Sequence, residues 1–200
     1  GVQTCALPIS AHTGGRSAIR AVRTRADYEA WYPCFAASGM VVANWPVDYG
    51  GLGLDVAQAR VVDAVLAPYN LGRLNVLGLN SAAPALFSHG TEAQRLRFLP
   101  PIVRNEELWC QLLSEPGAGS DLASLATRAE RDGDEWVLHG QKVWTTWAHF
   151  SHFAICLART DPAAPKRKGL TYFLVDLHSE GVHVRPLRHL GGEVDFNEVF

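Results

Sequence analysis

Residues 109–121 read Trp109-Cys110-Gln111-Leu112-Leu113-Ser114-Glu115-Pro116-Gly117-Ala118-Gly119-Ser120-Asp121. A β-rich run enters a loop that holds two glycines, a proline, two serines and two acids. Glycines let backbone amides come close to an anionic group, and successive amides in a turn form a nest for phosphate oxygens. Ser114 and Ser120 add hydroxyls that can donate or accept. A plain turn would not need so many special residues, so the stretch reads as a ligand-cradling loop. It is neither GxGxxG nor a P-loop, so neither a Rossmann nor a nucleotide-triphosphatase reading has support. The loop chemistry alone does not name the ligand.

Downstream of Glu106 the texture stays β-rich. Short runs occur at Leu108–Leu113, Leu125–Glu130, Trp136–Leu138, Lys142–Thr146, Phe153–Ala158, Leu170–Val175 and Val182–Leu187. Asp132-Gly133-Asp134, His139-Gly140, Asp161-Pro162 and Ser179-Glu180-Gly181 punctuate them as turns. Antiparallel strands joined this way give a small barrel or sandwich. Pro162–Lys168, with its three consecutive cations, reads as a solvated hairpin loop. His89, His139, His149 and His152 show no triad or helical-face pattern and read as structural or exposed.

Upstream, from about Ser17 to Arg104, the period is helical, with Ile19, Val22, Ala26 and Ala30 near one face. Asp55 is the expected N-cap of a helix over Val56–Leu66, because its carboxylate can accept an otherwise unpaired amide. A third helix is expected over Leu77–Ser88; its apolar residues suit an acyl tunnel or a core equally. Gly90 stops it, and Thr91-Glu92-Ala93-Gln94 reads as a capping box opening a fourth. Pro100-Pro101 is expected to end that helix, since neither can donate a helical hydrogen bond. Trp45-Pro46-Val47-Asp48-Tyr49-Gly50-Gly51-Leu52-Gly53 reads as a tight interhelical turn pinned by aromatics in preference to a ligand contact. The fold class is therefore α+β, a helical domain over 16–106 followed by an antiparallel β-barrel or sandwich domain over 107–200. Residues 1–15 are expected to be a leader with no part in either.

Bulk properties narrow the function. Of 200 residues, 48% are hydrophobic and 19% charged, an ordinary globular composition, and the formal net charge is −2. That balance gives no electrostatic reason to expect nucleic acid or an anionic membrane as partner. No apolar run approaches the roughly 20 residues that span a bilayer. Cys5, Cys34, Cys110 and Cys156 are widely spaced, with no metal-ligand pattern, and are expected to be buried, reduced thiols in a cytoplasmic protein.

A second segment, Gly140-Gln141-Lys142-Val143-Trp144-Thr145-Thr146-Trp147, is open to two readings on its own. Trp144 could be core and the threonines chosen for β propensity. Alternatively, a flat aromatic lies against a flat ligand ring, with a threonine hydroxyl at its polar edge. Paired with the loop above, in this order and at this distance, the segment resembles the acyl-CoA dehydrogenase family. Trp45–Gly53, His89–Gln94 running to Phe98-Leu99-Pro100, Gly133–Trp136, Lys168–Thr171 and Phe196–Phe200 fit the same family. The resemblance covers about Ala21 to Phe200.

The resemblance implies FAD as cofactor and α,β-dehydrogenation of an acyl-CoA thioester, with hydride transfer to flavin N5. Its family's motif places Gln111, Leu113, Ser114, Gly119 and Ser120 around the FAD, with Ser114 at the ring and Gly119 and Ser120 by the pyrophosphate. Ser120 also lies near the acyl-CoA substrate. Trp144, Thr145 and Thr146 match the Trp-x-Thr that packs on the flavin. Glu115 and Asp121 are expected to shape the loop, not to act as acids. The resemblance further implies an electron-transfer flavoprotein or similar acceptor, a homo- or hetero-oligomer at full length, and a catalytic glutamate in a C-terminal helical domain. No catalytic residue is therefore expected among these 200, which alone should bind FAD poorly and turn over nothing. A non-catalytic subunit, or an acyl-CoA oxidase or flavin monooxygenase on the same scaffold, remains as an alternative.

Overall fold

The computed structural model describes residues 25–69 and 71–200. The expected leader, Cys5, Ile19 and Val22 lie outside the described residues. The chain divides into two compact units: one runs to Asn75 and includes Leu86–Glu106, the other combines Val76–Ala85 with Glu107–Phe200.

The first unit is helical. Helix α1 (Arg25–Ala37) buries Trp31, Tyr32, Phe35 and Ala36. The Tyr32 hydroxyl donates to the Val103 carbonyl at 3.2 Å, and burial pushes its pKa up to about 12. Helix α2 (Val56–Leu66) starts in the expected way: Asp55 accepts the Gln58 N–H at 2.8 Å, and the Gln58 side chain accepts the Asp55 N–H at 3.1 Å. The third helix differs from expectation. It opens within the second unit as a π-helical turn, Gly78–Ala82, in which Gly78, Leu79 and Ala82 are buried, before continuing as α3 (Ala83–His89).

Helix α4 (Glu92–Arg104) has the expected Thr91–Gln94 capping box but does not end at Pro100-Pro101. Each proline removes one helical donor, yet Leu99, Ile102 and Val103 are at most 1% exposed, and their packing holds the turn that the prolines would break. The helix ends at Asn105, left-handed at φ 59°, whose N–H donates to the Ile102 carbonyl. The Trp45–Gly53 stretch is an aromatic-pinned turn. Trp45 meets Phe87 edge-on at 4.9 Å, and the Tyr49 hydroxyl donates to Glu92 at 2.8 Å. A Cβ on Gly51 would lie 2.1 Å from the Trp45 carbonyl oxygen, so no larger residue fits.

The second unit carries two sheets and no closed barrel. The first orders its strands β1 (Trp109–Leu112), β5 (Phe153–Arg159), β2 (Arg128–Asp132) and β3 (Glu135–His139), with β6 (Leu170–Asp176) also pairing β5. The second orders β4 (Lys142–Thr146), β8 (Phe196–Val199) and β7 (Val184–Leu187). Seven of the strands were legible as β-rich runs; β8 was not read as one. Two pairings are parallel, β1 with β5 and β2 with β5; neither joins hairpin neighbours, so each is reached by a long connection, as parallel strands require. Cys110, Leu112, Ala154, Cys156, Leu177 and Val199 form the core here. Cys110 and Cys156 are free and buried as expected, whereas Cys34 is free and exposed, because it projects from α1 away from the buried Trp31 and Phe35. Among the described residues no helix is long and apolar enough to cross a membrane.

Candidate functional site

The loop after β1 closes on itself. The Glu115 N–H donates to the Ala118 carbonyl at 2.9 Å, and the Ala118 N–H returns to the Glu115 carbonyl at 3.1 Å. The Glu115 side chain turns inward, 8% exposed, and accepts from the Ala126 N–H at 2.6 Å, the Thr127 N–H at 2.9 Å and the Lys142 ammonium at 2.9 Å. Lys142 is 3% exposed and donates further to the carbonyls of Leu113 at 3.1 Å and Leu157 at 2.8 Å. Three N–H bonds thus meet three oxygens, the satisfaction a buried ammonium requires. Burial pushes the Glu115 carboxyl up, but hydrogen bonds from Thr127, Ala126 and Lys142 outweigh it and hold it below the usual carboxylate range. Glu115 shapes the loop.

The far side of the loop is open. A Cβ at Gly117 or Gly119 would meet nothing within 4 Å. The amides of Gly117, Gly119 and Ser120 donate to no atom of the described residues. Ser114 is half-buried and Ser120 exposed, so both hydroxyls remain accessible from the rim. Asp121 accepts from Ser124 at 2.6 Å and pairs with Lys166; these contacts, Lys166 first, hold its carboxyl low. Gln111 and Leu113 are half-buried, and the Gln111 amide donates to the Ser81 hydroxyl.

Strand β4 lies against the loop. The Val143 N–H donates to the Ser114 carbonyl at 2.9 Å, and the buried Lys142–Glu115 pair lies beside that bond. The β4–β8 register then shifts between Lys142 and Thr145, and Trp144 adopts φ 59°. This bulge turns the indole outward, 63% exposed and edge-on to Phe196 at 6.1 Å. The core reading of Trp144 is therefore wrong. A bulky residue at positive φ is a rare, strained conformation, and such strain gathers at functional sites. Thr145 is 2% exposed, and its hydroxyl has no partner among the described residues. Thr146 is half-buried.

Asn197, wholly buried on β8, links this strand to its surroundings. Its amide donates to the Thr145 carbonyl at 2.9 Å, so its oxygen faces His149 Nδ1 at 2.8 Å and accepts that ring's proton. His152 Nδ1 accepts the Leu108 N–H at 3.1 Å. Both histidines are thus structural. A further cluster, His189, Glu193 and Asp195, brings its ligand atoms within 4.8 Å of one another. His189 Nδ1 accepts the Gly191 N–H at 3.1 Å, which leaves Nε2 protonated toward Asp195 at 3.4 Å and Glu193 at 3.5 Å. That tautomer makes a hydrogen-bonded clasp; it offers no lone pair to a cation.

Sequence reasoning singled out Glu115 but missed Lys142 and Asn197. An acid beside a proline in a glycine loop can signal a buried counter-charge, and Lys142, within the second motif, is a cation at hand. Chemically, the adjacent loop and strand present free amides, two hydroxyls and a flat exposed indole. It suits a flat aromatic ring that carries phosphates.

Two family models match the chain: the acyl-CoA dehydrogenase N-terminal domain over residues 16–106 and the acyl-CoA dehydrogenase middle domain over residues 110–199. Acyl-CoA dehydrogenase FadE34 of Mycobacterium tuberculosis is 50% identical over 165 residues, covering 82% of this chain and 23% of its own length. The solved Tcur3481-Tcur3483 steroid ACAD is 34% identical with a TM-score of 0.73, over 86% of this chain and 44% of that one. A glutaryl-CoA dehydrogenase from Mycobacterium smegmatis, solved in complex with FADH2, is 25% identical with a TM-score of 0.64, over 96% of this chain and 50% of that one. The chain thus spans half or less of each of these three relatives. Both models, and the likeness of fold and sequence together, place it: the chain belongs to the acyl-CoA dehydrogenase family.

Proposed function

We propose that this chain supplies the flavin-binding part of an FAD-dependent acyl-CoA dehydrogenase. The observation that carries the reading is the junction of the two motif segments. Ser114 and Val143 are hydrogen-bonded at 2.9 Å, which sets the open glycine loop directly beside the strand that carries the outward Trp144. The FADH2 held by the M. smegmatis neighbour supports the choice of cofactor.

In this reading Gln111, Leu113 and Ser114 line the ring side of the site. The free amides of Gly119 and Ser120 take the pyrophosphate, and the Ser120 hydroxyl also reaches the acyl-CoA. Trp144 covers the ring and Thr146 lies at its edge, while the buried Thr145 backs them from the inner face of the strand. FAD, when bound, accepts the hydride that leaves the β-carbon of the acyl-CoA. The chain's own residues position that group and keep water from it; none is assigned as the base for the α-proton. Glu115 is unsuited to that role, since both carboxylate oxygens are already committed to a lysine and two amides. The steroid designation of one solved neighbour favours a bulky acyl group. An electron-transfer flavoprotein or similar acceptor, and assembly into an oligomer, complete the proposal.

The test is the visible spectrum of the protein expressed from its complete reading frame, taken anaerobically before and after adding acyl-CoA thioesters. Flavin bands that bleach with an acyl-CoA are expected. Bound flavin that no acyl-CoA bleaches would overturn the dehydrogenase reading, and absent flavin would overturn the cofactor.

A further inference from the structure

The Lys142–Glu115 pair is unusual for its position. It is the most deeply buried ion pair recorded among the described residues, at 3% and 7% side-chain exposure, whereas Arg73–Asp63, Arg104–Glu106, Arg128–Glu130 and Lys166–Asp121 are all about half exposed. Removing two charges from water is costly, and apolar residues of the same volume often stabilise a fold as well or better. A pair placed there needs a reason beyond stability.

Its bonds supply one. The ammonium ties together the last residue before the loop (Leu113), the loop itself (Glu115) and strand β5 (Leu157). The carboxylate ties the same loop to Ala126 and Thr127, which lead into β2. Every bond lies at the root of the glycine loop or within two residues of Trp144, and none faces the open side. Beyond the paired Glu115–Ala118 backbone bonds and the buried Ala118 methyl, the glycine side of the loop is open: a Cβ at Gly117 or Gly119 would meet nothing within 4 Å, and the amides of Gly117, Gly119 and Ser120 are unengaged. The placement of those open glycines relative to β4 therefore depends on how the root of the loop is anchored.

We propose that Lys142 and Glu115 are positioning residues for the cofactor: together they fix the loop carrying Ser114–Ser120 against the strand carrying Trp144 and Thr146. The inference rests on the flavin-binding reading above. An apolar replacement would leave the fold its core but allow loop and strand to drift. A displacement of about 1 Å in such a site costs on the order of a hundredfold in function.

The protein expressed from its complete reading frame, stripped of flavin, is titrated with FAD while flavin fluorescence and the fine structure of the visible band are followed. Lys142→Met and Glu115→Gln are compared with Ile155→Ala, a core variant in the same unit, at a temperature below every melting point. Both pair variants are expected to bind FAD about tenfold or more weakly, with a blurred band. Ile155→Ala should bind within about threefold of wild type despite a comparable fall in melting temperature, since its loss is one of packing. If Lys142→Met does not fold, Glu115→Gln, which keeps the side-chain volume, decides alone. Wild-type affinity in a folded pair variant, or equal loss in Ile155→Ala, overturns the positioning role while leaving the flavin reading intact. Wild-type protein that takes up no FAD overturns the reading itself, and the positioning role with it.

Discussion

The Asn197 side-chain amide donates to the Thr145 backbone carbonyl at 2.9 Å from a position with no solvent exposure at all. The bond crosses from β8 to β4 and engages a carbonyl next to the register shift. Asn197→Leu fills similar volume but strands that carbonyl and the His149 Nδ1–H. A loss of about 2–4 kcal/mol is expected, because each buried polar group left unpaired costs about 1–3 kcal/mol. Urea unfolding of wild type and variant measures it, and a loss under about 0.5 kcal/mol would show that water replaces the amide.

Trp144 sits at φ 59° with its indole in solvent, so the fold gains little from it. Trp144→Gly removes the strain of a bulky residue in the left-handed region. Unfolding stability is expected to stay level or rise by about 0.5–1 kcal/mol, since glycine adopts that region without penalty. Flavin retention, measured on the same preparations, is expected to fall sharply. Opposite signs for stability and retention are the signature of a residue kept for the ligand.

Two glycines make a contrasting pair. A Cβ at Gly140 would lie 2.2 Å from the Thr127 hydroxyl oxygen, so Gly140→Ala is expected to destabilise by about 1–3 kcal/mol through overpacking. Gly119 faces open space, and Gly119→Ala should leave the thermal midpoint nearly unchanged. If a pyrophosphate approaches the Gly119 amide, the same methyl weakens FAD binding. Melting curves and FAD titrations on both variants separate the two effects.

The pattern of legibility follows from range. The Asp55 and Thr91 capping boxes were readable because every atom involved lies within three residues. The loop chemistry of Ser114–Asp121 was readable from its residues, but the direction of Trp144, open to two readings on its own, and the bonds joining the two segments were not. Lys142 and Asn197 look like ordinary strand-surface residues, and their burial is fixed by partners 27 and 52 positions away. The Pro100-Pro101 stop failed for a related reason: local donor loss was outweighed by packing of Leu99 and Ile102 that only the folded unit supplies.

Glu115 gives the protein an acid limb. A carboxyl held below its usual range contributes stability that is fully present above the unfolded pKa of about 4.3 and is lost as pH falls through the lower folded value. Glu115→Gln should cost about 3–5 kcal/mol near neutrality, the range for breaking one partner of a buried pair. The gap to wild type should narrow as pH drops below about 4. Urea midpoints at neutral and acid pH check it, and a gap independent of pH would show that the charge is immaterial.

The cysteines should separate cleanly. Burial pushes the Cys110 thiol up to about 12 and the Cys156 thiol up to about 11, while Cys34 is exposed. The reactive species is the thiolate, so among the three cysteines of the described residues an alkylating reagent near neutral pH should label Cys34 in the native protein and reach Cys110 and Cys156 only after denaturation. Peptide mass mapping locates the label. Native labelling of Cys110 would reveal opening of the β1–β5 pairing.

That parallel pairing of β1 with β5 also sets the order in which the molecule can form. Trp109 aligns with Phe153, and the intervening forty-odd residues include β2, β3 and β4. Loop-closure entropy must be met before such a contact returns any energy. On a ribosome, Leu113 and Glu115 emerge well before the lysine that anchors them, and β4 cannot pair with β8 until residue 196 has been made. The glycine loop is thus among the first parts of its unit to be synthesised and among the last to take its final shape.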